Sequence, residues 1–190
     1  FEQIGIPFTG SDAYVCTLTL DKALTKKVVE EAGVLTPKSF FLKDASEIEG
    51  LGRLGLRFPI IIKPNFEGSS KGITVDSIVE DAEQLKKRAS ILLANYSSGL
   101  LIEEFITGRD IAVPMIEGVS PETGGVLAPI EYVFDKHITG ARKFQIYDYA
   151  LKNELSDHVD VRLMDKKDPN FPELMKVSKV VFEKLGVRDL

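Results

Sequence analysis

Cysteine, tryptophan and histidine are scarce in this sequence of 190 residues, which has one cysteine, Cys16, no tryptophan and two histidines. A single cysteine excludes an internal disulfide bond and is typical of proteins from a reducing compartment. The sequence also lacks an apolar run long enough to span a membrane, and its N-terminal residues do not have the pattern of a signal peptide. We therefore expect a cytoplasmic protein with no membrane partner.

The familiar patterns of metal-binding and hydrolytic sites are missing as well. His137 and His158 have no cysteine or histidine partner at metal-ligand spacing, so we interpret both as surface side chains. No combination of serine, histidine and acid indicates a nucleophilic hydrolase, and no P-loop motif occurs. The glycines of Gly50–Gly55 match the dinucleotide fingerprint, but a helix-like stretch precedes them and a strand follows, which reverses the required context. We predict a helix-ending loop there.

The composition that remains is that of an ordinary globular protein. Apolar residues make up 44% of the sequence and charged residues 28%, with a net charge of −5 and a pI of about 5.2. Nucleic-acid binders usually carry a basic face, so we expect no nucleic-acid partner. A local basic pocket is compatible with these numbers.

The hydrophobic pattern predicts helices and antiparallel strands in separate groups. Helices are predicted over 12–18, 22–32, 81–96 and 171–185, with a brief one opened by a capping box at 44–47. Strands are predicted over 39–42, 58–63, 73–75, 100–106, 111–116 and 126–134, with a weak one near 144–147. Thr107 and Gly108 are expected to join 100–106 to 111–116 as a hairpin. This segregation indicates the α+β class.

The stretch Pro59–Ile73 is the most informative in the chain. It begins as a β-branched run, which predicts a strand, and continues into the small-residue segment Gly68–Gly72, whose backbone N–H groups can approach a ligand closely. Lys63 lies at the end of the strand. A lysine beside a small-residue loop is a common arrangement for binding phosphate, so we predict a hairpin whose tip closes over phosphates.

A second candidate site lies at the end of the strand Leu101–Ile106. Glu103 and Glu104 are two acids in an otherwise apolar strand, which suggests that a hydrogen-bond acceptor is needed there. The strand end offers backbone groups to a flat heterocycle, and Asp110 is placed to accept from ribose hydroxyls. A solvated hairpin end is the alternative.

Together these segments resemble the D-alanine–D-alanine ligase family of ATP-grasp enzymes. The matching stretches occur in the family's order along most of the chain: Gly5–Ser11, Leu20–Lys22, Ile62–Pro64, Glu67–Ile73, Leu101–Ile106, and Tyr147–Asp148–Tyr149 with Lys152. Three positions depart from the family pattern, one of them Asp110, which stands where a glutamate is common. Phe8 replaces a tyrosine, and Asn153 replaces the aromatic residue that often follows the mobile-loop lysine, which leaves the choice of substrate open.

The resemblance implies a role for each matching position. Lys22 and Lys63 would contact the phosphates of ATP, and the segment carrying Glu67, Ser69, Ser70 and Gly72 would close over them. The adenine would be held by Glu103, Glu104, Phe105 and Ile106, and the ribose by Asp110. Lys152 is the implied catalytic residue, on a loop that covers the active site.

The resemblance also implies a reaction and its requirements. Such enzymes pass the γ-phosphoryl group of ATP to a carboxylate, and an amine then attacks the acyl phosphate to form an amide. ATP and Mg²⁺ are the implied cofactors, ATP and an amino acid the small-molecule partners, and a homodimer is compatible with the full-length enzyme. The family's metal ligands are expected beyond Leu190 and its N-terminal catalytic groups before Phe1, so we expect the central piece of a longer enzyme, inactive alone.

We expect an incomplete ATP-grasp fold with three parts. Residues 1–37 form a linker and helix, residues 38–117 a small subdomain with the glycine-rich loop, and residues 118–190 the start of a large subdomain with the mobile loop. Three functions stay open: a D-alanine–D-alanine ligase of peptidoglycan synthesis, an ATP-grasp ligase for other amino acids, and a non-catalytic nucleotide-binding module.

Overall fold

The computed structural model describes residues 1–189 and contains seven strands and six α-helices in that range. The strands are β1 Ser39–Leu42, β2 Ile60–Pro64, β3 Ile78–Val79, β4 Leu100–Glu104, β5 Asp110–Ala112, β6 Ile130–Phe134 and β7 Val159–Leu163. The helices are α1 Ala13–Leu20, α2 Lys22–Glu31, α3 Ala82–Asn95, α4 Lys136–Thr139, α5 Tyr149–Asn153 and α6 Phe171–Leu185. Short 3-10 helices cover Glu2–Ile4, Ala45–Arg53, Val75–Ser77, Pro121–Thr123 and Ser156–His158.

The first sheet is antiparallel, with the strand order β1-β4-β2-β3. Successive side chains of a strand point to opposite faces. One face carries Ile60, Ile62, Leu100 and Ile102, which pack against α3 and the 3-10 helix Ala45–Arg53 in the larger core. The other face carries Lys63 and Glu103. Helix α3, which follows the glycine-rich loop, thus covers one face of an antiparallel sheet.

The second sheet has the strand order β5-β6-β7 and is also antiparallel. The predicted hairpin between 100–106 and 111–116 is therefore wrong, because β4 belongs to the first sheet and β5 to the second. The turn at Thr107 and Gly108 carries the chain from one sheet to the other. The second sheet begins at Asp110, so its first strand lies within the predicted small subdomain 38–117. The division of the chain into 1–37, 38–117 and 118–190 stays a prediction.

Three other predicted strands need correction. Residues 73–75 do not form the return strand of the glycine-rich hairpin; that strand is β3, which pairs with β2 only at Ile60 and Ile61. Residues 144–147 form no strand, and residues 126–129 precede β6. The strand that the sequence reading missed is β7, whose Val159, Val161 and Leu163 alternate with polar residues.

The helices lie close to their predicted positions. Helix α6 coincides with the predicted 171–185, and the capping box at Asp44 opens the 3-10 helix, which ends at Arg53 within the fingerprint-like glycine stretch. Helices α1, α2 and α6 form a second apolar core around Val15, Val29 and Phe182. Within residues 1–189, no helix combines the length and apolar character needed to cross a membrane.

Candidate functional site

The centre of the candidate site is Glu103, a buried carboxylate that contacts two lysines. Antiparallel pairing places Ile61 opposite Glu103 and Lys63 two residues further along the same face of β2. The Lys63 ammonium contacts Oε1 of Glu103. Lys26 on α2 reaches the other carboxylate oxygen, with its Nζ 2.8 Å from Oε2. Both oxygens of a carboxylate that is 7% exposed are therefore paired.

Helix α2 is fixed at this point by Asn65, the first residue after β2. Asn65 is fully buried, donates to the side chain of Asp21 over 2.8 Å and accepts from the backbone N–H of Ala23 over 2.9 Å. Asp21 is the N-cap of α2 and also accepts from the backbone of Leu24. These bonds hold the first turn of α2, and with it Lys22 and Lys26, against the end of β2.

Lys22 and the start of the glycine-rich loop are in direct contact. The Nζ of Lys22 donates to the backbone carbonyl of Asn65 over 3.1 Å and to that of Glu67 over 2.5 Å. Lys22 therefore contacts the backbone that leads into the loop, and Lys63 is near enough for its charge to act on Lys22. Lys22 is half-buried, so its ammonium faces the loop rather than bulk water.

The neighbouring charges and burial shift the pKa values of Glu103 and Lys22. Burial acts to raise the pKa of Glu103, but the charges of Lys63 and Lys26 and their hydrogen bonds outweigh burial, so the pKa lies below its usual range. Burial lowers the pKa of Lys22, and the nearby positive charge of Lys63 lowers it further. An anion arriving at this point would relieve the repulsion between the two lysines.

The glycine-rich loop is held in an unusual backbone conformation. Ser69, Ser70 and Gly72 have φ angles of 50°, 57° and 76°, in the left-handed region that side-chain-bearing residues rarely adopt. A Cβ at Gly72 would lie 2.6 Å from Pro64 Cγ and 2.9 Å from Tyr96 Cε2. Glycine is therefore required at position 72 for its conformation and for its close contacts.

The loop is joined to the segment that carries α5. Ser70 Oγ donates to the carbonyl of Tyr147 over 3.1 Å, and the backbone N–H of Tyr149 donates to the carbonyl of Ile73 over 3.1 Å. Asn153 makes a longer bond of 3.4 Å to the carbonyl of Ser69. The two segments predicted to cover the nucleotide therefore touch each other.

Lys152 lies on α5 beside a cluster of aromatic rings. Its Nζ is 5.7 Å from the ring centroid of Tyr147, which stacks against Tyr132 at 4.7 Å and Phe134 at 5.5 Å. Because Tyr132 and Phe134 alternate along β6, both rings project from one face of the second sheet. Lys152 is exposed, so it lies at the rim of the site.

The segment of Tyr147 is anchored by a buried ion pair. Asp148, which is 3% exposed, caps α5 by accepting from the backbone of Leu151 over 3.0 Å. Its other oxygen lies 3.1 Å from Nη1 of Arg142. This pair fixes the start of α5.

The residues predicted to hold adenine divide between two environments. Glu104 follows Glu103 and points to the opposite face, where its Oε2 lies 2.9 Å from Nη2 of Arg57. The backbone N–H of Phe105 donates to the carbonyl of Pro59 over 2.9 Å, and Ile106 is 63% exposed. The structure thus brings Lys22, Lys63, Glu67 and Glu103 together but separates the side chain of Glu104 from them.

Asp110 opens β5 and lies opposite Tyr132. Burial raises the pKa of its carboxyl group. It lines a concave region of about 410 Å³ together with Tyr132, Phe134 and Gln145. Asp110 is therefore on the same face of the second sheet as the aromatic rings.

Sequence reasoning missed three residues of this arrangement: Lys26, Asn65 and Arg142. Asn65 follows directly on the motif residues Lys63 and Pro64, and a polar residue at the end of an apolar strand was a usable signal. Lys26 gave none, because its partner Glu103 is 77 residues away in sequence. Arg142 gave none because it lies outside the motifs, although its partner Asp148 belongs to one.

The residues described do not form a magnesium site. Within residues 1–189, no three histidine, cysteine, aspartate or glutamate side chains are grouped closely enough to hold a metal ion. The acids of the site, Glu103 and Glu104, are already paired with cations. We therefore derive no chemical step through a metal.

Comparison with known proteins identifies relatives over most of the chain. The family model described as D-ala D-ala ligase C-terminus matches residues 29–190. The D-alanine–D-alanine ligase of Aquifex aeolicus is 33% identical over 162 residues, covering 82% of this chain and 53% of that protein. The Fusobacterium nucleatum ligase is 26% identical over 187 residues, covering 98% and 55%. The chain thus spans about half the length of the curated relatives it matches.

Solved structures show the same fold. The crystal structure of D-alanine–D-alanine ligase from Bacillus anthracis matches with a TM-score of 0.72 at 24% identity, covering 99% of this chain and 56% of that one. The same ligase complexed with ATP matches with a TM-score of 0.68 at 20% identity, covering 99% and 54%. The predicted α+β ATP-grasp fold is confirmed. The chain belongs to the D-alanine–D-alanine ligase family and matches its C-terminal part.

Proposed function

We propose that this chain binds ATP for an ATP-dependent carboxylate–amine ligase of the D-alanine–D-alanine type, acting in the cytoplasm in peptidoglycan synthesis. The observation that supports this most strongly is that Lys22 contacts the backbone leading into the glycine-rich loop at the end of β2, where Lys63 also lies. Two positive charges beside a loop with a left-handed backbone suit a polyphosphate. Family membership supports the reaction class.

The phosphate end of the proposed site is the loop 68–72 with its two lysines. Lys22 and Lys63 carry like charges, and the positive charge of Lys63 lowers the pKa of Lys22. A triphosphate would accept from both ammonium groups and gain charge-assisted hydrogen bonds. Ser69, Ser70 and Gly72 would add backbone and hydroxyl donors.

The base and ribose end is proposed for the strand end Glu103–Ile106 and for Asp110. The chain passes here from the first sheet to the second, so a nucleotide bound at this turn would contact both sheets. The backbone of Ile106, an exposed residue, would pair with the heterocycle, and Asp110 would accept from the ribose hydroxyls.

Lys152 and the segment around it form the proposed cover. The bonds from Ser70, Tyr149 and Asn153 join this cover to the phosphate loop. Excluding water there would strengthen the interaction of each lysine with the transferred phosphoryl group. Lys152 would place a third positive charge at the edge of that enclosure.

The proposed reaction has two steps. A carboxylate oxygen of one amino acid takes the γ-phosphoryl group, and ADP leaves. The amine of a second amino acid attacks the acyl carbon, loses a proton and releases phosphate, which leaves an amide. Mg²⁺ would offset the negative charges that these steps bring together; the chain's own contribution is to bind and orient the phosphates.

The test is a ligase assay on the gene product that contains this chain, supplied with ATP, magnesium and D-alanine. We expect ADP, phosphate and a dipeptide in equal amounts. A panel of D-serine and other amino acids distinguishes a ligase of different acceptor specificity. Nucleotide binding without turnover on any amino acid would refute the ligase proposal and favour a nucleotide-binding module.

A further inference from the structure

Lys26 is a member of the site that has no role in the proposed function. It lies one helical turn after Lys22 on α2, and its side chain is only 11% exposed. Its Nζ donates to Oε2 of Glu103 over 2.8 Å and to the backbone carbonyl of Pro37 over 2.6 Å. The enclosed ammonium of Lys26 has exchanged water for a buried carboxylate and a partly buried carbonyl, and this arrangement needs an explanation.

Glu103 has one cation more than its charge requires. Its single negative charge is shared by Lys63 on Oε1 and Lys26 on Oε2. The proposed function requires Lys63 to bind a phosphate, which means leaving Glu103. A buried carboxylate stripped of its partner is costly, so the departure of Lys63 is tolerated only if a second cation stays.

The surroundings of the two lysines indicate which one stays. Lys26 is tied to Pro37 as well as to Glu103 and is the more enclosed of the two. Lys63 is 21% exposed and lies at the end of β2, beside the loop that approaches the phosphates. Only Lys63 is placed to exchange a carboxylate for a phosphate.

We propose that Lys26 is a positioning residue: it remains the counterion of Glu103 and so releases Lys63 to the nucleotide phosphates. This inference rests on the proposed function. It predicts that removing Lys26 traps Lys63 on Glu103, and that the phosphates then contribute less to binding although no phosphate-contacting residue has changed.

The experiment measures the dissociation constants of adenosine and of ADP for this chain by calorimetry. The phosphate contribution is the dissociation constant of adenosine divided by that of ADP. We expect the ratio in Lys26→Met to fall about tenfold relative to wild type, as expected for one lost charge-assisted contact. Lys27→Met is the matched control, since Lys27 is exposed on the same helix; its ratio should equal that of wild type.

Two further variants separate positioning from a structural role. Lys26→Met with Glu103→Gln removes both charges, frees Lys63 and should restore the ratio to at least the wild-type value. If Lys26→Met does not fold, Lys26→Arg is measured in its place. Lys26→Arg keeps the positive charge, so its ratio should equal that of wild type. An unchanged ratio in Lys26→Met, or a ratio that Glu103→Gln does not restore, overturns the inference. A wild-type chain that binds ADP no better than adenosine overturns the proposed phosphate site itself.

Discussion

Lys63 is the residue on which the phosphate site depends most directly. We expect Lys63→Ala to weaken ADP binding by about 2 kcal/mol, as expected for losing a charge-assisted hydrogen bond. Lys63→Arg should restore only part of the affinity, because the planar guanidinium group of arginine does not replace the compact ammonium group of lysine. Calorimetric titration measures both, and Lys87→Ala on the exposed face of α3 is the control. Unchanged affinity in Lys63→Ala would remove Lys63 from the site.

Glu103 should make the stability of the chain sensitive to acid. Because its pKa is lower in the folded state, its ion pairs stabilise the fold above the unfolded pKa of about 4.3. That contribution is lost as the pH falls through the folded pKa. Urea unfolding from about pH 6 down to about pH 3 should therefore show a weaker pH dependence for Glu103→Gln than for wild type. Glu83→Gln, on the surface of α3, should retain the wild-type slope; equal slopes in both variants would contradict the assignment.

At this scale the sequence predicted motif residues better than their partners. Lys22, Lys63 and Glu103 were found because they lie in recognisable local patterns. Helical periodicity predicts the helix that carries Lys26, but it does not predict what packs against that side chain. Its partner Glu103 is 77 residues away in sequence, and only the fold brings the two together.

Among the elements, the glycine-rich loop has the most restrictive geometry. We expect Gly72→Ala to destabilise the chain by about 1–3 kcal/mol, because alanine disfavours this φ and its Cβ would collide with Pro64 and Tyr96. Gly68→Ala is the matched control in the same loop, since its Cβ would meet nothing within 4 Å. Thermal or urea unfolding compares the two variants. A larger loss for Gly68→Ala would show that the loop is built differently.

The loop and the α5 segment should respond to nucleotide together, because Ser70 and Asn153 join them. We expect amide hydrogen exchange across 68–72 and 147–153 to slow when ADP is added, as for a cover that becomes ordered on binding. Strand β1 is the internal control and should not change. Equal exchange in both segments with and without ADP would contradict the role of a cover.

Element types were easier to predict than their pairing. Helix α6 follows from its apolar periodicity alone. The turn at Thr107–Gly108 was recognisable, but a local turn signal does not tell whether the next strand joins the same sheet. The alternation of Val159, Val161 and Leu163 is typical of a strand, but β7 was not predicted because the residues around it are polar.

For the whole molecule, the order of motifs carried more information than any one of them. Each segment alone was compatible with an ordinary hairpin or turn, yet their succession along the chain resembled one family, to which the chain belongs. The fold then supplies what the order could not: α2, the first sheet and the α5 segment converge on the end of β2. That convergence is the basis for the proposed polyphosphate ligand.

The most direct test of this account compares ADP with adenosine in binding to the wild-type chain. The two ligands share base and ribose, so the difference in their affinities reports the phosphate site alone. With Lys22, Lys63 and the loop 68–72 engaged, we predict that ADP binds at least about a hundredfold more tightly, as expected for two charge-assisted contacts. Equal affinities, or no binding of ADP, would contradict the claim that the end of β2 is a phosphate site.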